Sequence, residues 1–412
     1  MSITHGARSG TRWVRRFCIS GLLLVSMATP SAQPGRIVAV GDVHGAIGEF
    51  RALLQTLELT DADQRWIGGG DTLVQTGDLT DRGTGVRAVL DLLMHLETEV
   101  AEAGGEVIVV LGNHETMSLM ANLRDTTPQL LARFAGPDST SRRETAYEDY
   151  LALATDRADA LGPLAAEPLA RDAWMDTHPP GFLEYLDAFG PDGLYGRWLR
   201  SKPVVVRVGD SIFLHGGLHP SAPTDLSEIN EQAHRELETH DRYRRELVER
   251  GLILPFSTFQ ETLAAVNLEL ERWRILVSPT GPPAPGPGAR VTPEEREEID
   301  LLLEVQRLGA WSILDENGPV WFRGLARWEE EEGLERVRAM TERYQTDRIV
   351  VGHTPQPSRL ITPRFDNRVF IIDTGMLTTA YAGRASALEI DGDRLTAVYL
   401  GRRIPIPETA SP

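Results

Sequence analysis

The stretch Val38-Ala39-Val40-Gly41-Asp42-Val43-His44-Gly45 decides how this chain is read. Its apolar, β-branched start reads as a buried strand, and the glycines at 41 and 45 bracket the turn that ends it. Asp42 and His44 stand two residues apart on that turn. From extended backbone they project to the same side, so an oxygen and an imidazole nitrogen can meet one divalent cation. Asp and His beside glycine also occur as plain turn formers, which leaves both readings open for the loop alone.

Working outward, Ile47, Phe50, Leu53, Leu54 and Leu57 recur at helical spacing and complete a strand-loop-helix unit. The unit repeats. Thr72–Gln75 predicts a strand entering Gly77-Asp-Leu-Thr-Asp-Arg-Gly83, followed by a helix with Val86, Val89, Leu90, Leu93 and Val100 on one face. Glu106–Leu111 predicts a third strand, which ends in Gly112-Asn-His-Glu115. Strands alternating with helices predict an α/β core with parallel strands, and such sheets bind ligands beyond the carboxyl ends of their strands. All three polar loops sit there.

Val204–Val208 and Ser211–His215 predict a hairpin turning at Gly209-Asp210 and ending in His215-Gly-Gly217. A strand at 347–351 leads into Gly352-His-Thr-Pro355, and three closing strands are predicted at 369–372, 385–390 and 395–400, paired antiparallel around Asp391-Gly-Asp393. Two stretches, about 123–201 and 225–316, read as helical insertions. The second is broken by a Pro/Gly segment, 279–288, that cannot pack as regular structure.

A formal net charge of -18 argues against nucleic acid as a partner, because its phosphate backbone calls for a positive surface. Positive charge for a phosphorylated substrate would have to be concentrated in the site. Arg8, Arg12, Arg15 and Arg16 precede an apolar run from Phe17 to Met27. This reads as a secretory signal peptide over residues 1–32, cleaved after Ala28 or Ala32, with an uncleaved anchor as the alternative. The expected location is periplasmic or secreted, with no stable membrane insertion after cleavage; the export route, general or twin-arginine, stays open. The only cysteine, Cys18, lies in the apolar run, so a processed chain must build any metal site from oxygen and imidazole.

Collected, the strand-end loops offer Asp42, His44, Asp78, Asn113, His114, His215 and His353. Six such groups suffice for two adjacent divalent ions if one carboxylate bridges, and two ions about 3.5–4 Å apart clamp both oxygens of a phosphoryl displacement. Asp78 is the natural bridge, since a carboxylate has lone pairs enough for both.

Gly41-Asp-Val-His-Gly45, Gly77-Asp-Leu-Thr-Asp-Arg-Gly83, Gly112-Asn-His-Glu115, His215-Gly-Gly217 and Gly352-His-Thr354 together resemble the five ordered motifs of the calcineurin-like metallophosphoesterases. The Asp-Arg-Gly and Asn-His-Glu forms are similar to the phosphoprotein phosphatase branch. Met120-Ala-Asn-Leu-Arg124 and Gly318-Pro-Val-Trp-Phe-Arg-Gly324 resemble the Shewanella-like bacterial-type phosphatases. The resemblance implies a four-layer α/β fold, a β-sandwich of two mixed sheets flanked by helices, within one domain over 33–412. It implies a first metal on Asp42, His44 and Asp78, and a second on Asp78, Asn113, His215 and His353. The ions would be Mn²⁺, Fe²⁺/Fe³⁺ or Zn²⁺, and hydroxide held by them would attack phosphorus directly. By the same resemblance His114 is the acid for the leaving oxygen, with Asp81 orienting it; Arg82, Asn113 and Arg323 grip phosphate. Arg323, beside Trp321 and Phe322, could equally stack on an aromatic face.

The expected function is hydrolysis of phosphomonoesters on protein side chains or on a small surrogate. Dinucleoside-polyphosphate or cyclic-nucleotide phosphodiester hydrolysis is the alternative on this scaffold, and a non-catalytic periplasmic binding protein is the rival from another class. The segment after His353 lacks the tyrosine-bearing loop of eukaryotic relatives, so the resemblance transfers no substrate selection from that side. His5, His95, His178, His234 and His240 read as solvated, His219 as a loop residue with support of the His-Gly-Gly loop as the alternative, and the run Glu329 to Glu332 as a solvated helix start.

Overall fold

Alternation along the strands builds the layers. The computed structural model describes residues 35–277 and 291–407; residues 1–32, read from the sequence as a signal peptide, and the Pro/Gly segment at 279–288 lie outside them. Strand β1, Ile37–Val40, divides its side chains between two cores: Val38 and Val40 meet helices, and Ala39 meets a second sheet. Successive strand residues face opposite ways, so a strand covered on both sides must be apolar throughout. That is why the opening run contains no polar residue.

The remaining strands are β2 (Thr72–Gln75), β3 (Glu106–Val109), β4 (Val205–Val208), β5 (Ser211–Leu214), β6 (Arg348–Val351), β7 (Thr362–Arg364), β8 (Val369–Ile371), β9 (Ser386–Asp391), β10 (Arg394–Tyr399) and β11 (Arg402–Ile406). They form a six-stranded sheet, ordered β11-β10-β9-β1-β2-β3, and a five-stranded sheet, ordered β4-β5-β6-β8-β7. Both are mixed. β1, β2 and β3 run parallel, as do β5, β6 and β8, while the outer pairs are antiparallel. Val74, Phe213, Val350, Phe370 and Leu388 fill the space between the sheets, and complete burial of a phenylalanine stabilises by roughly 1.5–3 kcal/mol. Helices such as Ile47–Thr56 and Val86–Ala103 cover the outer face of β1–β3, burying Phe50, Leu53, Leu54, Val89, Leu90 and Leu93 as their periodicity predicts.

Two expectations are corrected. β8 does not pair with β9; it joins the other sheet, parallel to β6 and placing Phe370 in the interior. Only β9 and β10 form the hairpin around the Asp391-Gly-Asp393 turn, with Gly392 at φ 60°. β7 and β11 were not read from the sequence. Each carries a proline, Pro363 or Pro405, which weakens a strand signal but is tolerated at a sheet edge, where both lie.

The helical segments fold as read, with long helices at Ser139–Leu161, Leu226–Glu249, Phe259–Leu276 and Pro293–Gln306. Thr258 with Glu261, and Thr292 with Glu295, form reciprocal capping boxes that satisfy the first backbone N–H groups of their helices. Glu329 to Glu332 do open a helix, Glu330–Tyr344. Not every histidine here is solvated: His178 lies flat on Trp174, ring centroids 4.0 Å apart, and His240 is also buried. The inserted helices pack against one another and enclose these rings, which a residue-by-residue reading of polarity misses.

Candidate metal centre

The carboxyl ends of β1, β2, β3, β5, β6 and β8 each release the chain into a loop, and those loops converge. Their backbones are tied first. Val43 and His44 donate N–H bonds of 3.0 and 2.9 Å to the Asp78 carbonyl, and Gly45 donates to Leu79. His44, Asp78, Asp81, Arg82 and His353 all lie in the left-handed region, with φ between 45° and 66°. Such conformations cost non-glycine residues about 1–3 kcal/mol each and persist only where surroundings over-determine them. One determinant is Glu115, fully buried. Its Oε2 accepts the N–H groups of Asp78 (2.7 Å) and Gly112 (2.8 Å), while Oε1 accepts those of Leu79 and Thr80 and the Thr80 hydroxyl. Burial and the charge of Asp78 push the Glu115 carboxyl upward, against donors that favour its ionised form.

The side chains then meet around Asp78. Its Oδ1 is 3.1 Å from His215 Nε2, while its Oδ2 is 3.5 Å from His44 Nε2 and 3.7 Å from His114 Nε2. Two clusters result, His44 with Asp78 and His114, and Asp78 with His215 and His353, each with ligand atoms within 4.8 Å of one another. Asn113 Oδ1 belongs to the second, 2.9 Å from His215 Nε2. Asp42 stands between loops: its Oδ1 accepts the His353 N–H at 3.0 Å, and its Oδ2 is 4.0 Å from His44 Nε2.

Hydrogen bonds set which nitrogen each imidazole offers. His44 Nδ1–H donates to the Thr80 carbonyl (2.8 Å) and His215 Nδ1–H to the Thr76 carbonyl (2.8 Å), leaving both Nε2 lone pairs facing inward. His353 bonds the Trp321 carbonyl through Nε2 at 3.1 Å, so Nδ1 faces inward instead. His215 Nε2 therefore confronts Asn113 Oδ1, Asp78 Oδ1 and His353 Nδ1, all within 3.1 Å. Acceptors this close repel unless a proton or a cation lies among them, and carbonyls that bond the opposite ring nitrogen, as those of Thr80, Thr76 and Trp321 do, are how ligating histidines are held. The electrostatics agree. Burial opposes charge on His215, but the carboxylates of Asp78 and Asp42 outweigh it and push the imidazole up to about 9. Burial raises Asp78 too, yet His215 and His114 hold it well below the usual carboxylate range. Burial lowers His44 to about 3 and carries His353 down as well. Asp373 adds another sign: burial and the charge of Asp78 raise its carboxyl to about 6, against the hydrogen bonds from Gly375 and Asp42, and it has one oxygen, Oδ2, without a partner among the described residues. The donor set of carboxylate, amide oxygen and imidazole fits hard and borderline divalent cations.

Beside these groups, His114 Nδ1 contacts Asp81 Oδ2 at 2.6 Å, and the Thr126 hydroxyl donates to Asp81 Oδ1 at 2.5 Å. Burial lowers His114, but Asp78 and Asp81 prevail and raise it. Arg82 Nη1 donates to His44 Nε2 at 2.5 Å, taking the lone pair that a cation would use. Arg323 reaches the same cavity, although its Nη1 is committed to the His353 carbonyl (2.6 Å) and to Thr354 Oγ1 (3.1 Å). It does not stack on Trp321; Arg124 does, at 5.7 Å. The cavity over these residues measures about 250 Å³, and Asp78, Asn113, His114, Arg82, Arg323 and Tyr381 are among its walls.

All six residues read from the sequence as ligands, together with His114, Asp81, Arg82 and Arg323, are thus brought to one place. Three more were not foreseen. Glu115 was read only as a motif letter, although its place at the third residue of a buried helix start hinted at a backbone anchor. Asp373 follows the apolar run 369–372 as Asp42 follows 38–40, and that parallel was available. Tyr381 supplies an aromatic ring on the side after His353, where the resemblance transferred nothing. Its ring stacks on His44 with centroids 5.7 Å apart and lies 5.4 Å from the Arg82 guanidinium. Gly375 (φ 73°) makes room for it, since a Cβ there would sit 2.6 Å from that of Tyr381. The expected loop residue His219 is one, half-buried and bonded to Ser221.

Comparison with known proteins places this geometry. The profile described as calcineurin-like phosphoesterase matches residues 35–357. Shewanella-like protein phosphatase 1 of Plasmodium berghei is 23% identical over 372 residues, 89% of this chain and 74% of that protein. Shewanella-like protein phosphatase 2 of Arabidopsis thaliana is 30% identical over 215 residues, half of this chain and 52% of the relative. Among solved structures, the cold-active protein-tyrosine phosphatase of a psychrophilic Shewanella superposes with a TM-score of 0.51 at 23% identity, covering 91% of this chain and 81% of that one, a likeness of fold. With the profile spanning most of the chain and its five loops gathered around one buried aspartate, the protein belongs to the calcineurin-like phosphoesterase family and is a metal-dependent phosphoester hydrolase.

Proposed function

We propose that the chain is an exported phosphatase with a dinuclear centre, acting on phosphomonoesters of protein side chains. The observation that carries the dinuclear reading is the division of Asp78: Oδ1 faces His215, Asn113 and His353, and Oδ2 faces His44. One cation would be held by Asp42, His44 and Asp78, the other by Asp78, Asn113, His215 and His353. Bound divalent cations supply Lewis-acid activation of water and neutralise charge on the phosphoryl oxygens.

The chain's own groups do the rest. Arg82 grips two phosphoryl oxygens with its guanidinium fork, its Nη1 being released from His44 Nε2 wherever that nitrogen would instead hold a cation. Arg323 presents its remaining N–H groups to the same anion while fixing the His353 loop. His114, favoured in its protonated form by Asp78 and Asp81, delivers its Nε2 proton to the departing oxygen, a contribution of typically 10²- to 10⁴-fold. Export rests on the basic and apolar pattern of residues 8–27 and on the lack of cysteine after Cys18.

Elemental analysis of the purified protein, joined to kcat/KM values for phosphotyrosine and phosphoserine peptides and a dinucleoside tetraphosphate, tests the reading. Near two equivalents of metal and preference for a phosphopeptide are expected. One equivalent at full activity, or preference for the dinucleotide by orders of magnitude, refutes it.

A further inference from the structure

A larger cavity lies apart from the metal centre, among the inserted helices. Its volume is about 860 Å³, within the roughly 300–1,000 Å³ typical of small-molecule sites. The inner wall is apolar: Leu119, Ala146, Leu183 and Phe189 are between 1% and 5% exposed.

The charges around it are unevenly matched. Asp187 is held by Arg142 at 2.5 Å, and Asp241 is gripped by both arms of Arg200 at 2.8 and 2.9 Å. Asp149 and Asp192 stand exposed, where water screens them. Arg244 differs. It is half-buried in the wall, with one hydrogen bond, from Nη2 to the Pro255 carbonyl at 2.8 Å, and no salt bridge among the described residues. A guanidinium has five N–H donors in a planar fork, so most of its capacity is unused. Burial disfavours its charge, and Asp241 and Glu261 oppose that loss only through space.

A cavity with an apolar inner wall and one half-buried, unneutralised cation beside it selects a ligand of complementary build. We propose that it binds a small amphipathic anion, an acyl or aryl carboxylate or sulfonate, with its charged end on Arg244 and its apolar body against Leu119, Leu183 and Phe189. Two parallel hydrogen bonds to the acid replace the water that the half-buried guanidinium lacks.

The test is titration of the purified protein with 1-anilinonaphthalene-8-sulfonate, read by fluorescence, followed by competition. Saturable one-to-one binding is expected, displaced by decanoate but not by decyltrimethylammonium or inorganic phosphate. Arg244→Leu should weaken it at least tenfold, and Ala146→Trp, whose indole intrudes from the apolar wall and leaves Arg244 in place, should weaken it likewise, each with unchanged far-UV circular dichroism. If Arg244→Leu does not fold, Ala146→Trp decides. Non-saturable binding, displacement by phosphate, or unaltered affinity in a folded variant overturns the assignment.

Discussion

Glu115→Gln changes one oxygen to NH₂ at nearly constant shape, and the surroundings make that small change expensive. On the Oε2 side the new group would face the N–H groups of Asp78 and Gly112, at 2.7 and 2.8 Å. On the Oε1 side it would face those of Leu79 and Thr80, at 2.8 and 3.0 Å, and only the Thr80 hydroxyl could turn to accept. Either flip leaves two buried donors unpaired. At about 1–3 kcal/mol each, the loss is about 2–6 kcal/mol, a large part of a typical total of roughly 5–15 kcal/mol. It falls on the loop that carries Asp78, so metal affinity should fall with stability, by about 10³-fold for a 4 kcal/mol change. Urea unfolding followed by circular dichroism, with metal content measured on the same samples, reads both effects. Thr80→Val is the internal control, removing the hydroxyl alone and costing about 1 kcal/mol. A glutamine variant within about 0.5 kcal/mol of the parent, and fully loaded with metal, would refute the claim that Glu115 holds the loop.

His114→Ala should retain metal while losing about 10²- to 10⁴-fold in kcat, whereas Asp78→Asn should lose metal itself; elemental analysis beside steady-state rates separates them, and equal metal loss in both would contradict the assigned roles. Burial holds His240 neutral below its ordinary 6.5, so the unfolded chain binds the extra proton and stability is lost as pH falls from 6.5 toward the depressed value. Urea midpoints for His240→Met should therefore depend less on pH across that window than the parent's, by up to about 1.4 kcal/mol per pH unit; parallel curves would show that His240 does not titrate there. Phe370→Ala should cost about 3–5 kcal/mol by opening a cavity between the sheets, a loss that equilibrium unfolding measures and that a value under about 1 kcal/mol would contradict.

Much of the centre was legible because each ligand follows an apolar strand run: Asp42 after 38–40, Asp78 after 72–75, His215 after 211–214, His353 after 348–351. A strand buried on both faces has a distinctive composition, and polar residues at its end stand out. The partner of a strand is less visible. Val369–Ile371 fits either sheet by pattern, and the choice falls to Phe370 meeting Phe213 and Val350 in the interior, a contact that local sequence does not encode. Tyr381 was missed for a similar reason. It reaches His44 only because the loop after β8 folds back at Gly375, a turn whose direction depends on tertiary packing. The buried state of His178 depends likewise on Trp174 and the neighbouring inserted helices.

The pairing of β1 carries a consequence for how the protein comes into being. Its residues 37–40 are flanked on one side by β2 and on the other by β9, at 387–390. During translation this strand therefore emerges long before the segment that seals its open flank, and a parallel or long-range ladder is slow to close. A nascent polypeptide halted ahead of β9 would display bare amide and carbonyl groups along an apolar edge, an invitation to aggregate. Ribosome-bound fragments should thus need chaperone cover until the final hairpin is delivered, and hydrolytic competence should arrive late and all at once.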